Sequence, residues 1–210
     1  MVYPVYVYGT SVLRKRAKEI SPDYPGLTKL IDDMFETMKV SDGVGLAAPQ
    51  IGMSVRLIVI DAAEMEEEEE SVKSFRKVLI NPQILEERGE KWSFNEGCLS
   101  LPAIREDVLR HSVVRIRYQD ENFQWHEEEY DGVKARIIQH EYDHLEGKLF
   151  VDRISPLRKR LLNKRLKAIA SGAVSTAYKL CCPRNEYYLK LYDFIRSPDF
   201  SNRSIYWALL

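Results

Sequence analysis

The sequence predicts a mixed fold of strands and helices, on three observations. Residues 55–60 and 78–82 are short apolar runs bounded by turn formers, the pattern of buried strands. Residues 113–118 and 124–130 flank Asp120-Glu121-Asn122, the pattern of a hairpin. Leu27, Leu30, Ile31, Met34, Phe35 and Met38 recur at helical spacing, with Lys29, Asp32, Asp33 and Glu36 on the other face.

The remaining elements follow in order. Residues 3–8, Tyr-Pro-Val-Tyr-Val-Tyr, read as a short extended segment closed by Gly9. Residues 11–20 read as a short basic helix or turn, and the prolines and glycine at 22–26 as a loop. The strand at 78–82 should stop at Asn81-Pro82. The acidic run at 64–70 reads as a solvated loop between strands. Asp131-Gly132 breaks the chain before a further helix, which Gly147 can cap. Ser155-Pro156 is a helix start with Ser at the N-cap, and Leu157, Leu161, Leu162, Leu166 and Ile169 form its apolar stripe. Beyond 171 no clean period remains; the aromatic tail admits a last strand and a short helix, or a loosely ordered end.

Composition narrows the function. With 210 residues, 45% hydrophobic and 30% charged, the chain suits one soluble domain, or one domain with an extension. A net charge of -1 offers no global field for DNA. No apolar run approaches a membrane span. The start, Met1-Val2-Tyr3-Pro4, lacks a basic region and an apolar signal core, so the cytoplasm is the expected compartment. The cysteines Cys98, Cys181 and Cys182 do not form a disulfide framework.

The chemistry concentrates in Gln139-His140-Glu141-Tyr142-Asp143-His144. Residues four apart share a helix face, so His140 and His144 project together and can hold one divalent metal. Glu141 between them can then handle a proton on metal-bound water. The plainer alternative is an amphipathic helix whose histidines fall four apart by chance. A catalytic site of this type needs a third ligand and an open fourth position. His111 and His126 are candidates; Cys98, in Glu96-Gly97-Cys98-Leu99-Ser100, is the better one, because a thiolate with two imidazoles makes a tetrahedral site for Zn, Fe or Co. Glu96 can accept a hydrogen bond behind the ligands, with an arginine partner the sequence does not name.

Gly43-Val44-Gly45-Leu46-Ala47-Ala48-Pro49-Gln50 formally matches a dinucleotide fingerprint, yet it follows a helix and precedes a strand, the wrong context. The glycines either let a peptide-like substrate approach the backbone, with Gln50 offering an amide donor to an oxyanion, or simply make a tight turn.

These three stretches, in this order and at these separations, closely resemble the three signatures of bacterial peptide deformylases. Val7-Tyr8-Gly9 and Val12-Leu13-Arg14 are also similar to that family, and the resemblance spans about residues 4–170. It implies an α+β fold with antiparallel β-sheets surrounding a central metal-binding helix. It implies a hydrolase that removes the N-formyl group from polypeptides beginning with formyl-methionine. One divalent metal per chain is implied, natively Fe2+, with Zn2+, Ni2+ or Co2+ in purified protein. By the family pattern Cys98, His140 and His144 are the ligands and Glu141 the general acid/base. Gln50 and the backbone N–H of Leu99 polarise the formyl oxygen. Gly45 bonds the substrate backbone, Val44 and Ile137 border the methionine pocket with His140, and Arg105 contacts substrate. The implied catalytic domain is 1–170, with 171–210 as a C-terminal extension, and the tail after about residue 180 is unlike the family. The basic helix 155–169, with Arg158, Lys159 and Arg160, reads as a solvated face or as a ribosome-docking surface, the position some family members use.

Overall fold

The protein is described by a computed structural model over residues 1–62 and 70–183. The acidic residues at 64–69 and the aromatic tail from 184 lie outside the described residues.

One sheet organises the chain. Its strands run β2 (Gly45–Ala47), β3 (Leu57–Asp61), β4 (Arg76–Gly97), β5 (Arg105–Gln119) and β6 (Trp125–Asp131), adjacent in that order and all antiparallel. A second, two-stranded sheet joins β1 (Val5–Tyr6) to β7 (Leu180–Cys181), and this pair is parallel. The helices are α1 (Leu27–Val40), α2 (Gly132–Leu145) and α3 (Pro156–Ala170). Helix α2 packs against β2, β3, β5 and β6, which makes it the centre of an α+β fold. Among the described residues no helix is long and apolar enough to cross a membrane.

The alternation of β5 explains its place. Glu106, Val108, Arg110, Val114, Ile116 and Tyr118 are all buried and all of one parity, while Arg115 and Arg117 face water. The hairpin pairs Gln119 with Trp125. Its turn is held by Asp120 Oδ1, which accepts from the N–H groups of Asn122 and Gln124, both at 2.9 Å.

Several local expectations need correction. The strand that should end at Asn81-Pro82 continues to Gly97. Asn81 takes a left-handed φ of 51° and the register shifts between Ile80 and Gln83, so the proline sits in a bulge instead of ending the strand. Asn81 stabilises the bulge by accepting from Ile20 N–H (2.9 Å) and donating to Ile20 O (2.7 Å). Residues 11–20 agree with the expected short helix or turn, with a 3-10 turn at Val12–Arg14 and a parallel bridge from Lys18 to Val55. In α3, Leu162, Leu166 and Ile169 are buried, but Leu157 and Leu161 are 67% and 66% exposed. Positions 162, 166 and 169 share one face; Leu161 is turned about 100° from Leu162 and points outward with Leu157.

Candidate active site

Helix α2 carries the histidines and is held firmly at its C-terminus. Gly147 is left-handed (φ 69°), its N–H donates to His144 O (3.3 Å), and Lys148 N–H donates to Asp143 O (2.8 Å). This is a Schellman cap, and it sets where the last turn, with His144, stops.

Cys98, His140 and His144 come together as the sequence pattern requires. One ligand atom from each lies within 4.8 Å of the others. Cys98 Sγ is 3.4 Å from His144 Nε2. A tetrahedral ion with ordinary bond lengths needs a sulfur–nitrogen edge of about 3.6 Å, so the donor set fits a metal. The other two histidines are committed elsewhere. His111 Nδ1 bonds Gly89 O at 2.9 Å, and His126 Nε2 bonds Asp120 Oδ2 at 2.8 Å.

A buried charge network stands behind the ligands. Glu96 Oε2 accepts from His140 Nδ1 at 2.8 Å, which leaves Nε2 for a metal. Glu96 also accepts from Arg110 (2.7 and 3.0 Å) and Arg136 (2.8 Å). Arg110 continues to Asp143 Oδ2 at 2.6 Å, and Arg153 closes on Asp143 from the outside. Burial opposes ionisation of Glu96, but His140 and Arg110 outweigh it and hold the carboxyl well below its usual range. The arginine partners escape a linear reading because they come from β5 and α2. The buried parity of β5 was the available signal for Arg110.

Glu141 is 5% exposed, and its Oε2 has no hydrogen-bond partner. Burial pushes its carboxyl up to about 7. His144 is driven the other way, to about 3, by burial and then by the nearby His140. A carboxyl poised near neutrality beside three side chains that could hold a metal can exchange a proton.

Gln50 follows edge strand β2 in the 3-10 turn Ala48–Ile51. Its Oε1 accepts from Ala47 N–H at 2.8 Å, which assigns the amide orientation. Nε2 therefore points inward, 3.7 Å from Cys98 Sγ and 3.4 Å from Ser100 Oγ. Leu99 follows Cys98 in a turn closed by Leu101 N–H donating to Cys98 O at 2.9 Å. Among the described residues the Leu99 N–H has no acceptor.

A cleft of about 800 Å³ opens over these groups. It is lined by Val44, Gly45, Gln50, Leu99, Arg105 and Ile137 from the sequence reading, together with Cys98, His140 and Glu141. Arg105 lies at its rim, bonded to Asn95 Oδ1 (3.0 Å) and Asn95 O (2.8 Å). Ser175 to Tyr178 also line the cleft, and nothing local in the sequence marks that stretch as part of a site.

A family model described as polypeptide deformylase matches residues 2–160. A peptide deformylase of Christiangramia forsetii is 50% identical over 190 residues, covering 87% of this chain and 97% of its own. One from Flavobacterium johnsoniae is 48% identical over 187 residues, covering 86% and 95%. The crystal structure of the Thermotoga maritima peptide deformylase superposes with a TM-score of 0.67 at 44% identity, covering 74% of this chain and 99% of that one. The Synechococcus elongatus peptide deformylase, solved with actinonin, gives 0.70 at 40% identity, covering 85% and 92%. With matching sequence and fold, the chain belongs to the polypeptide deformylase family, hydrolases that remove the N-formyl group from newly made polypeptides.

Proposed function

We propose that Cys98, His140 and His144 hold one divalent ion, natively Fe2+, and that Glu141, Gln50 and Leu99 perform deformylation around it. The observation that carries this reading is the Cys98–His140–His144 group with the unpartnered Glu141 Oε2 beside it. Thiolate and imidazole donors suit Fe, Zn, Ni or Co, and the preference for Fe2+ rests on the family resemblance. When bound, the ion supplies Lewis acidity and lowers the pKa of water.

The protein's own groups do the rest. Gln50 Nε2 and Leu99 N–H donate to the formyl oxygen as it gains negative charge. Glu141 Oε2 takes a proton from the attacking water and returns it to the departing amine. Water adds across the formamide bond, the C–N bond breaks, and formate and a free N-terminal amine result. Gly45 on edge strand β2 offers its backbone to the peptide, Val44 and Ile137 wall the methionine side chain, and Arg105 meets the chain beyond it.

The catalytic domain is 1–170, and the extension that begins at 171 pairs with β1 and completes the cleft wall with Ser175 to Tyr178. Acting on nascent formyl-methionyl peptides, the enzyme belongs in the cytoplasm and docks on ribosomes through α3. Exposed Leu157 and Leu161 beside Arg160 support a docking face. Arg158 and Lys159 are ion-paired to Glu106 and Asp152, so neutralising Arg160, Lys164 and Lys167 is the cleaner test. Loss of co-sedimentation with ribosomes is expected; unchanged binding rejects the docking reading.

For the chemistry, protein purified anaerobically and loaded with Fe(II) or Ni(II) should release formate from formyl-Met-Ala-Ser and leave acetyl-Met-Ala-Ser intact. Glu141→Gln should retain metal and lose turnover. No formate from the loaded wild type overturns the reading.

A further inference from the structure

The segment after α3 returns to the cleft. Within the parallel pair, Val5 stands opposite Leu180 and Tyr6 opposite Cys181. Val5 N–H donates to Lys179 O (2.8 Å), Val7 N–H to Cys181 O (3.1 Å), and Tyr8 N–H to Ser100 O (2.9 Å). Residues 5–8 thus splint the returning segment to the turn that carries Cys98 and Leu99. Two residues before β7, the Tyr178 hydroxyl donates to Leu99 O at 2.9 Å. Thr176 Oγ1 donates to Tyr178 O at 2.5 Å, which closes the local turn that aims the ring. Burial pushes the Tyr178 phenol up to about 12, so it remains a donor at neutral pH.

We propose that Tyr178 is a positioning residue for the Leu99 oxyanion donor, supplied by the segment that follows the basic helix. This rests on the reading of Leu99 N–H as a donor to the formyl oxygen. The physical basis is the pair of peptide planes on either side of Leu99. The plane that contains its N–H is pinned through Cys98 O, which accepts from Leu101 N–H. The plane that follows is pinned through Leu99 O by Tyr178. With both planes fixed, the φ and ψ of Leu99 cannot drift, and the N–H keeps its aim. Without the phenol, the second plane is free to rock. A donor aimed at developing charge helps only while it is preorganised.

Tyr178→Phe keeps the ring and deletes the hydroxyl. Steady-state formate release is measured on formyl-Met and on formyl-Met-Ala-Ser, beside Gln50→Ala, with metal content and melting temperature in parallel. The loss of one hydrogen bond predicts a roughly 3–10-fold fall in kcat, equal on both substrates. KM should stay within about twofold, because the bond matters in the transition state and not in ground-state binding. Metal content should match the wild type, and the melting temperature should fall by no more than about 6 °C, the cost of one hydrogen bond. Unchanged kcat beside a loss in Gln50→Ala overturns the role of Tyr178 alone. Unchanged kcat in both variants overturns the oxyanion reading and this proposal with it. A loss confined to KM, or to the longer substrate, makes Tyr178 a substrate contact and also overturns it.

Discussion

Gly45 and Glu141 are in van der Waals contact with no space between them: a β-carbon on residue 45 would lie 2.6 Å from Glu141 Oε1 and 2.8 Å from its Cγ. The glycine is therefore required by the carboxylate and not by its backbone angles, since its φ is not in the left-handed region. Gly45→Ala should fold and bind metal but displace Glu141. Misplacing a catalytic group by about 1 Å can cost on the order of 100-fold, so kcat for formate release should fall by about that factor. Full activity in Gly45→Ala would show that the carboxylate relocates without penalty.

Gln50 is oriented by Ala47 N–H, so its amide cannot turn its oxygen to the cleft without losing that bond. Gln50→Ala should lower kcat by about 100–1,000-fold, or about 2.7–4 kcal/mol, the usual cost of one oxyanion donor. KM should move little. Stopped-time formate assays at saturating substrate distinguish this from a binding defect.

Arg110 bridges Glu96 and Asp143 with a side chain that is fully buried. Arg110→Met keeps the aliphatic bulk and strands two buried carboxylates beside their other partners. Breaking a buried pair costs about 3–5 kcal/mol, and for a chain of this size that lowers the melting temperature by about 6–20 °C. Calorimetry of the metal-loaded variant provides the test. An unchanged melting temperature would mean that Arg136 and Arg153 carry the network alone.

Asp152 joins three parts of the chain: it pairs with Arg14 and with Lys159 and accepts from Leu149 N–H at 2.9 Å. Burial opposes its ionisation, yet the Arg14 and Lys159 bonds prevail and hold its carboxyl below the usual range. A depressed folded-state pKa contributes stability that is present above the unfolded value of about 3.9 and is lost as pH falls through the folded value. Asp152→Asn should therefore be less stable than wild type at pH 7, and the gap should close below about pH 4. Denaturant midpoints measured from pH 7 to pH 3 test this; a gap that persists in acid excludes the carboxylate as its source.

The legible parts were those where neighbours in sequence are neighbours in space. Histidines four apart on α2, the hairpin at Asp120 and the Ser155-Pro156 start obey local periodicity and turn chemistry. Asn81-Pro82 misled because a proline ends a flat strand but is tolerated in a bulge, and the bulge is stabilised by Ile20, far away in sequence. Leu157 and Leu161 misled because an apolar residue does not report which way its helix face is turned.

By itself the sequence determined a candidate donor set, the order of the three motifs and the family they belong to, since each motif is a contiguous string with its own chemistry. Tertiary structure decided what holds that chemistry in place. It supplied Arg110 and Arg136 to Glu96, pressed Gly45 against Glu141, and carried Tyr178 back to Leu99, 79 residues away. The physical reason is common to all of these: a buried charge or a pinned peptide plane needs a partner at hydrogen-bond distance, and only the packing of α2 against the sheet and of β7 against β1 brings the partners there.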